Sequence, residues 1–156
     1  MNGTRSPKGG LVLHHGLFVI DADLRSVLPP QGEGLIAGLV DELLTTISME
    51  RLGPLEIFPA TDMRAPGYSF IQPITTSHIC GHYFGKPGKH PHFHFDIYSC
   101  KKFSWRKVIP VLDRHLSLGE WSANCITRKI GAKRECRSIR GVGREIAEER
   151  RVWRNV

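Results

Sequence analysis

The apolar residues of this chain recur at two spacings, one typical of helices and one typical of strands. Between Glu33 and Glu50, aliphatic residues recur at helical spacing, which predicts an amphipathic helix with one buried stripe. A second helix is predicted after Ser104, a suitable N-cap, with its apolar face running from Trp105 to Leu116. Each of these helices has one face to bury against another layer of structure.

Runs of aromatic and β-branched residues predict strands on both sides of these helices. The predicted strands cover residues 11–20, 55–59, 68–75, 92–100 and 121–130. In 92–100 the alternation is the cleanest, so its polar side chains are expected on one sheet face and its apolar ones on the other. Pro73 lies inside a predicted strand, which indicates an edge, a bulge or a bend at that point.

This order of elements predicts an α+β fold. We expect a two-layer sandwich in which an antiparallel β-sheet carries both helices on one face. The other face would be free for a partner sheet or for a site. One domain is predicted over residues 11–130, between a flexible N-terminus (1–10) and a basic C-terminal tail (131–156).

Composition restricts the class of protein. A chain of 156 residues is long enough for one domain with a hydrophobic core. It has no apolar run of the ~20 residues that a membrane span needs, and its polar N-terminus does not resemble a signal peptide. We therefore expect a cytoplasmic protein without membrane contact. Its four cysteines fit no metal-knuckle spacing and are expected to be free thiols.

The net charge of +7 is concentrated near the C-terminus. Residues 128–156 hold 10 Lys and Arg against 4 Asp and Glu, so the rest of the chain is nearly neutral. A basic tail can contact nucleic acid or an acidic partner. This one has few aromatic residues and no zinc-finger or ribonucleoprotein signature, which favours a solvated appendage over a nucleic-acid site.

Small nucleophiles and imidazoles concentrate between residues 69 and 100. Ser77 is followed directly by His78 and, five positions later, by His82. Ser69 lies eight residues before Ser77, on the same strand face if no bulge intervenes, and Cys100 closes the alternating strand. These groups could form a reactive pocket, or they could be polar residues at the rim of a sheet.

A metal site is the strongest alternative that the residues themselves suggest. His92, His94 and Asp96 alternate on one predicted strand and share a face. Two imidazoles and a carboxylate can bind zinc or iron if they converge with an open position. The same pattern is also common on strands that simply face solvent.

Several segments together resemble the bacterial S-adenosylmethionine decarboxylase proenzymes, which are pyruvoyl-dependent. The resemblance extends from about His15 to about Trp121. It is carried by four segments: Gly67-Tyr68-Ser69, Ser77-His78-Ile79, His82, and Asp96-Ile97-Tyr98-Ser99-Cys100.

The resemblance implies that the protein makes its own cofactor. Ser77 would attack the preceding carbonyl, the chain would break between Thr76 and Ser77, and Ser77 would become a covalent pyruvoyl group that serves as an electron sink. Ser69 would support the developing oxyanion, His82 would be the base in the elimination, and Cys100 would reprotonate the decarboxylated substrate. The resemblance also implies a homodimer of processed chains, a small-molecule substrate and a place in spermidine biosynthesis.

Three departures from the family pattern indicate a divergent member. Thr76 stands where the family usually has glutamate, and His82 is followed by Tyr-Phe-Gly-Lys instead of an aromatic residue, a proline and an acidic residue that recognises ribose. The nearest counterparts of the adenine-stacking aromatic are Met63 and Phe58, and Ile79 is a further candidate for substrate contact.

The substrate is therefore expected to be S-adenosylmethionine or, alternatively, arginine or ornithine. The remaining alternatives are a metal-binding protein that uses His92, His94 and Asp96, and a non-catalytic regulatory homologue.

Overall fold

One antiparallel sheet of eight strands organises the part of the chain that the computed structural model describes, residues 14–86, 88–128 and 134–153. The strands are β1 (His15–Leu24), β2 (Glu56–Pro59), β3 (Gly67–Ile74), β4 (Ser77–Phe84), β5 (His92–Ser99), β6 (Leu118–Arg128), β7 (Glu135–Val142) and β8 (Glu145–Trp153). Their order across the sheet is β2-β3-β4-β5-β1-β6-β7-β8. Helices α1 (Glu33–Ile47) and α2 (Trp105–Leu116) contact each other, and the predicted α+β sandwich is confirmed.

Strand alternation places the core between the sheet and the helices. Phe70, Phe93 and Phe95 are almost completely buried on this face, with ring centroids 6.2 to 6.4 Å apart. The stripe predicted for the first helix is buried against them, from Ile36 to Ile47. The side chains between these buried positions project from the opposite face of the sheet, which we call the open face.

Pro73 lies at an edge, as predicted. Strand β2 pairs with β3 only as far as Ile71, so β3 has no strand neighbour on that side at Pro73. The carbonyl of Pro73 accepts a hydrogen bond from the N–H of Leu52 at 3.0 Å. Because the nitrogen of a strand residue points to the same side as its carbonyl, the missing proline N–H breaks no ladder bond.

The basic C-terminal segment is not a solvated appendage, contrary to the expectation from composition. Residues 135–153 form the β7–β8 hairpin, which extends the sheet beyond β6 and turns at Gly143. Ile139 is completely buried, and the indole N–H of Trp121 donates to the carbonyl of Gly143 at 2.9 Å. Ion pairs such as Arg137 with Glu149 neutralise part of the charge.

This hairpin was missed because its strands bury few apolar side chains, so the alternation is masked by charged residues. The predicted flexible N-terminus and the start of the first predicted strand lie outside the described residues. Neither helix of the described chain is long and apolar enough to cross a membrane.

Candidate active site

Ser77 occupies a strained position at the tight turn between β3 and β4. Thr75 and Thr76 form the turn, and Ile74 pairs with Ser77 across it. The φ angle of Ser77 is 154°, a region of backbone conformation that residues other than glycine rarely adopt. Such strain persists only where the surrounding structure holds it, and it is frequent at reactive sites.

The residue before Ser77 is held at both its carbonyl and its side chain. The carbonyl of Thr76 accepts a hydrogen bond from the backbone N–H of Cys100 at 3.0 Å. The hydroxyl of Thr76 lies 3.0 Å from the hydroxyl of Ser99 and 3.1 Å from the sulfur of Met49. The Thr76–Ser77 peptide is therefore fixed by the end of β5.

An imidazole lies directly beside the Ser77 hydroxyl. The Nδ1 atom of His78 is 3.2 Å from Oγ of Ser77, and the ring of His78 is stacked on that of Tyr98 at a centroid distance of 5.8 Å. Stacking orients the imidazole toward the serine. The structure thus brings together Thr76, Ser77, His78 and Cys100 at one end of the sheet.

Ser69 and His82 form a second polar pair at the other end of the same hairpin. They are cross-strand partners on β3 and β4, and Oγ of Ser69 lies 2.7 Å from Nδ1 of His82. His82 is five residues from Ser77 along β4, a distance of about 16 Å at ~3.3 Å per residue. The expectation that Ser69 and Ser77 share a strand is wrong, because the turn at Thr75 places them on different strands.

A row of side chains continues from this pair across the open face. Cross-strand pairing aligns Phe58, Ser69, His82, His94 and Asp21 on adjacent strands. Nδ1 of His94 lies 2.5 Å from a carboxylate oxygen of Asp21. Beside this last pair is a cleft of about 430 Å³, and its charged or imidazole-bearing lining residues are Asp21, Asp23, His92, His94, Glu120 and Arg140.

The structure does not support the metal site. His92 and His94 each bind a separate carboxylate, the former that of Asp23 at 2.9 Å. The carboxylate of Asp96 instead accepts a hydrogen bond from the thiol of Cys80 at 3.7 Å. Among the residues the structure describes, no group of three or more histidine, cysteine or acidic side chains is arranged to hold a metal ion.

The three candidate substrate contacts lie in different environments. Phe58 is half exposed and lies opposite Ser69, so its ring is close to the Ser69–His82 pair. Met63 is 87% exposed in the loop between β2 and β3. Ile79 is completely buried in the core, so its side chain cannot contact a ligand on the open face.

Sequence reasoning missed Phe84 as an aromatic surface next to His82. Phe84 is 37% exposed, and its ring meets that of His94 edge to face at 5.5 Å. It follows His82 by two positions on a strand, so the alternation of β4 was the available signal.

The free thiols differ in accessibility. Cys80 and Cys125 are partly buried, whereas Cys100 is exposed. Burial, with the nearby carboxylate of Asp96, raises the pKa of the Cys80 thiol to about 11. Burial raises the pKa of the Cys125 thiol to about 12. Both therefore remain protonated at neutral pH, and Cys100 is the exposed thiol next to the strained serine.

Comparison with known proteins identifies the family of this chain. The sequence model of the S-adenosylmethionine decarboxylase family matches residues 31–129, more than half of the chain. The match includes both ends of the β3–β4 hairpin and Cys100, and it excludes the β7–β8 hairpin. A search of curated proteins gives no significant match. The chain therefore belongs to the S-adenosylmethionine decarboxylase family, and its general activity is that of a decarboxylase.

Proposed function

We propose that this protein is a self-processing, pyruvoyl-dependent decarboxylase that cleaves its own chain between Thr76 and Ser77. One observation carries the proposal: the strained Ser77 follows a carbonyl that already accepts a hydrogen bond from the Cys100 N–H. A strained serine next to a polarised carbonyl is what an intramolecular acyl shift requires.

The first step is attack of the Ser77 hydroxyl oxygen on the carbonyl carbon of Thr76. The new C–O bond replaces the C–N bond, and the hydroxyl proton passes to the released amine. Nδ1 of His78, 3.2 Å from the hydroxyl, is placed to accept that proton on the way. The N–H of Cys100 stabilises the negative charge that develops on the Thr76 oxygen.

The second step is an elimination. Removal of the Cα proton of Ser77 breaks the bond between Cβ and the ester oxygen and releases Thr76 as a carboxylate. The dehydroalanine left at residue 77 tautomerises to an imine, and water hydrolyses this imine, which releases the nitrogen of residue 77 as ammonia and leaves a pyruvoyl group at the new N-terminus. His82 is the proposed base for the Cα proton, and Ser69, 2.7 Å away, fixes its ring.

The residues around Ser77 suit the pyruvoyl cofactor that this cleavage would produce. A pyruvoyl carbonyl supplies an electron sink for the loss of carbon dioxide from an α-amino acid. The exposed thiol of Cys100 lies on the strand end that holds residue 76, where it can donate a proton to the carbon that loses carbon dioxide.

The separation within the hairpin supports a homodimer. Ser69 and His82 lie about 16 Å from Ser77 of the same chain, too far to act on it directly. In a homodimer that pairs the open faces, the Ser69–His82 pair of one protomer can reach Ser77 of its partner. We propose that each active site is completed in this way.

S-adenosylmethionine is the substrate that family membership favours, and its decarboxylated product would enter spermidine biosynthesis. Phe58, beside the Ser69–His82 pair, offers an aromatic surface for the adenine ring. Arginine or ornithine is the second candidate. The carboxylates of Asp21, Asp23 and Glu120 in the cleft favour a cationic side chain. Lys86 stands near the position of the acidic residue that recognises ribose in the family, which counts against S-adenosylmethionine.

The test is an intact mass measurement under denaturing conditions on wild type and on Ser77→Ala. Wild type should give fragments 1–76 and 77–156, the latter with the mass of a pyruvoyl terminus, and Ser77→Ala should remain whole. Ser138→Ala, which changes a serine of β7 outside the β3–β4 hairpin, is the matched control and should be cleaved like wild type. Carbon dioxide release from S-adenosylmethionine, arginine and ornithine then identifies the substrate. An uncut wild-type chain would contradict the proposal.

A further inference from the structure

Ser99 has a completely buried hydroxyl beside the bond that is proposed to break. Its oxygen lies 3.0 Å from the Thr76 hydroxyl, 2.9 Å from the carbonyl oxygen of Lys101 and 3.0 Å from the N–H of Lys101. A buried hydroxyl is costly unless it is hydrogen-bonded, so this network fixes Ser99 firmly. Ser99 is also the cross-strand partner of Ser77.

We propose that Ser99 is a positioning residue for self-processing, acting on the scissile peptide through the side chain of Thr76. This inference rests on the proposed function. It assigns a role to the threonine that replaces the usual glutamate, because the hydroxyl of this threonine makes the contact with Ser99.

The geometry explains how the effect is transmitted. Residue 76 is held twice by the end of β5: its carbonyl by the N–H of Cys100, and its hydroxyl by Ser99. Two fixed points on one residue prevent rotation of the peptide that follows it. The carbonyl then stays on its N–H donor while the neighbouring residue is kept at a φ of 154°.

Met49 closes the other side of the Thr76 hydroxyl. Its sulfur lies 3.1 Å from the Thr76 oxygen and 3.8 Å from the Ser99 oxygen, and the side chain is 7% exposed. Without the Ser99 hydroxyl, the Thr76 hydroxyl keeps the weak contact to the sulfur of Met49. Without the Thr76 hydroxyl, Ser99 keeps its contacts to Lys101 but no longer holds the side chain of residue 76. The two residues should therefore behave as one unit.

The experiment measures the rate of chain cleavage after pulsed cell-free synthesis, followed by mass. Ser99→Ala and Thr76→Val should each slow cleavage roughly tenfold, the effect of one hydrogen bond lost from a fixed geometry. The double variant should be no slower than either single variant, because both remove the same contact. Ser99→Thr keeps the hydroxyl and should restore most of the rate.

Two controls distinguish a positioning role of Ser99 from a role in the stability of the fold. Melting temperatures of Ser99→Ala and Thr76→Val, each in the uncleavable Ser77→Ala background, show whether the fold itself is weakened. Thr45→Val removes a threonine hydroxyl that bonds the carbonyl of Asp41 at 3.1 Å on α1, and it should cleave at the wild-type rate.

The possible failures are distinguishable. If Ser99→Ala cleaves as fast as wild type, or if the two single effects multiply in the double variant, Ser99 does not position the peptide and the proposed function stands. If wild type itself remains uncut, self-processing and the role of Ser99 both fail.

Discussion

At the scale of single residues, the contacts around Thr76 assign separate tasks to the backbone and the side chain of Cys100. The backbone N–H holds the Thr76 carbonyl at 3.0 Å, whereas the thiol is exposed. In the proposed mechanism, self-processing uses the first group and decarboxylation uses the second. Under this proposal one residue serves both reactions through different atoms.

Cys100→Ala should separate these tasks. The variant keeps the N–H, so the chain should still cleave at residue 77. Without the proton donor, carbon dioxide release from the preferred substrate should fall by roughly 10²-fold or more, as for other losses of a general acid. Mass and carbon dioxide release measured on one preparation test this, with Cys136→Ala as the control. Loss of cleavage in Cys100→Ala would contradict the proposal that the backbone N–H and the thiol of Cys100 have separate roles.

At the scale of elements, the two helices are joined by charged side chains as well as by their apolar faces. Glu42 of α1 binds both Arg114 and His115 of α2, the latter at 2.6 Å. Hydrogen bonds from Arg114 and then His115 hold the pKa of Glu42 below its ordinary value of 4.5. The ionised carboxylate is therefore favoured by the folded state.

The sign of the pH dependence follows from this depressed pKa. The contribution of Glu42 to stability is present above its unfolded pKa and is lost as pH falls through the lower, folded pKa. Glu42→Gln should melt below wild type at neutral pH, and the difference should shrink on acidification below about pH 4.

Thermal melts between pH 3 and 7 check this, in the uncleavable background. Asp62→Asn is the control, since Asp62 pairs with Arg64 inside one loop and joins no two elements. Equal melting temperatures of Glu42→Gln and wild type at pH 7 would show that the ion pairs of Glu42 do not stabilise the contact between the helices.

At the scale of the whole molecule, the length of the β3–β4 hairpin keeps the two halves of the proposed site apart. Ser77 lies at the turn, and Ser69 and His82 lie about 16 Å away along the strands. A rigid strand cannot shorten this distance, which is why we propose that a second copy of the chain completes the site.

Complementation tests this arrangement. His82→Ala should remain uncut alone, because no protomer supplies the base. Mixed during synthesis with a mass-tagged Ser77→Ala chain, it should be cleaved, since that partner supplies an intact Ser69–His82 pair. A Ser77→Ala/His82→Ala partner should give no cleavage. If His82→Ala is cleaved without a partner, His82 is not required for processing.

Local pattern determined much of this protein. The alternation of residues 92–100 predicted β5, and the helical stripe after Glu33 predicted α1. An element that buries one face repeats its apolar residues at its own period, so the spacing reveals the element. The motif around Ser77 led to the family, which the family model confirms, and to the serine that we propose reacts. These features depend on residues that are close together in the sequence, so they can be recognised from the sequence alone.

Only the tertiary structure decided the rest. The turn at Thr75 separates Ser69 from Ser77, and strand register brings Ser69 to His82 and Ser99 to Thr76. The β7–β8 hairpin joins the sheet although its charged sequence suggested a solvated tail. Each of these outcomes depends on pairing between distant segments, and that pairing is fixed by register and burial across the whole sheet, which local spacing does not encode.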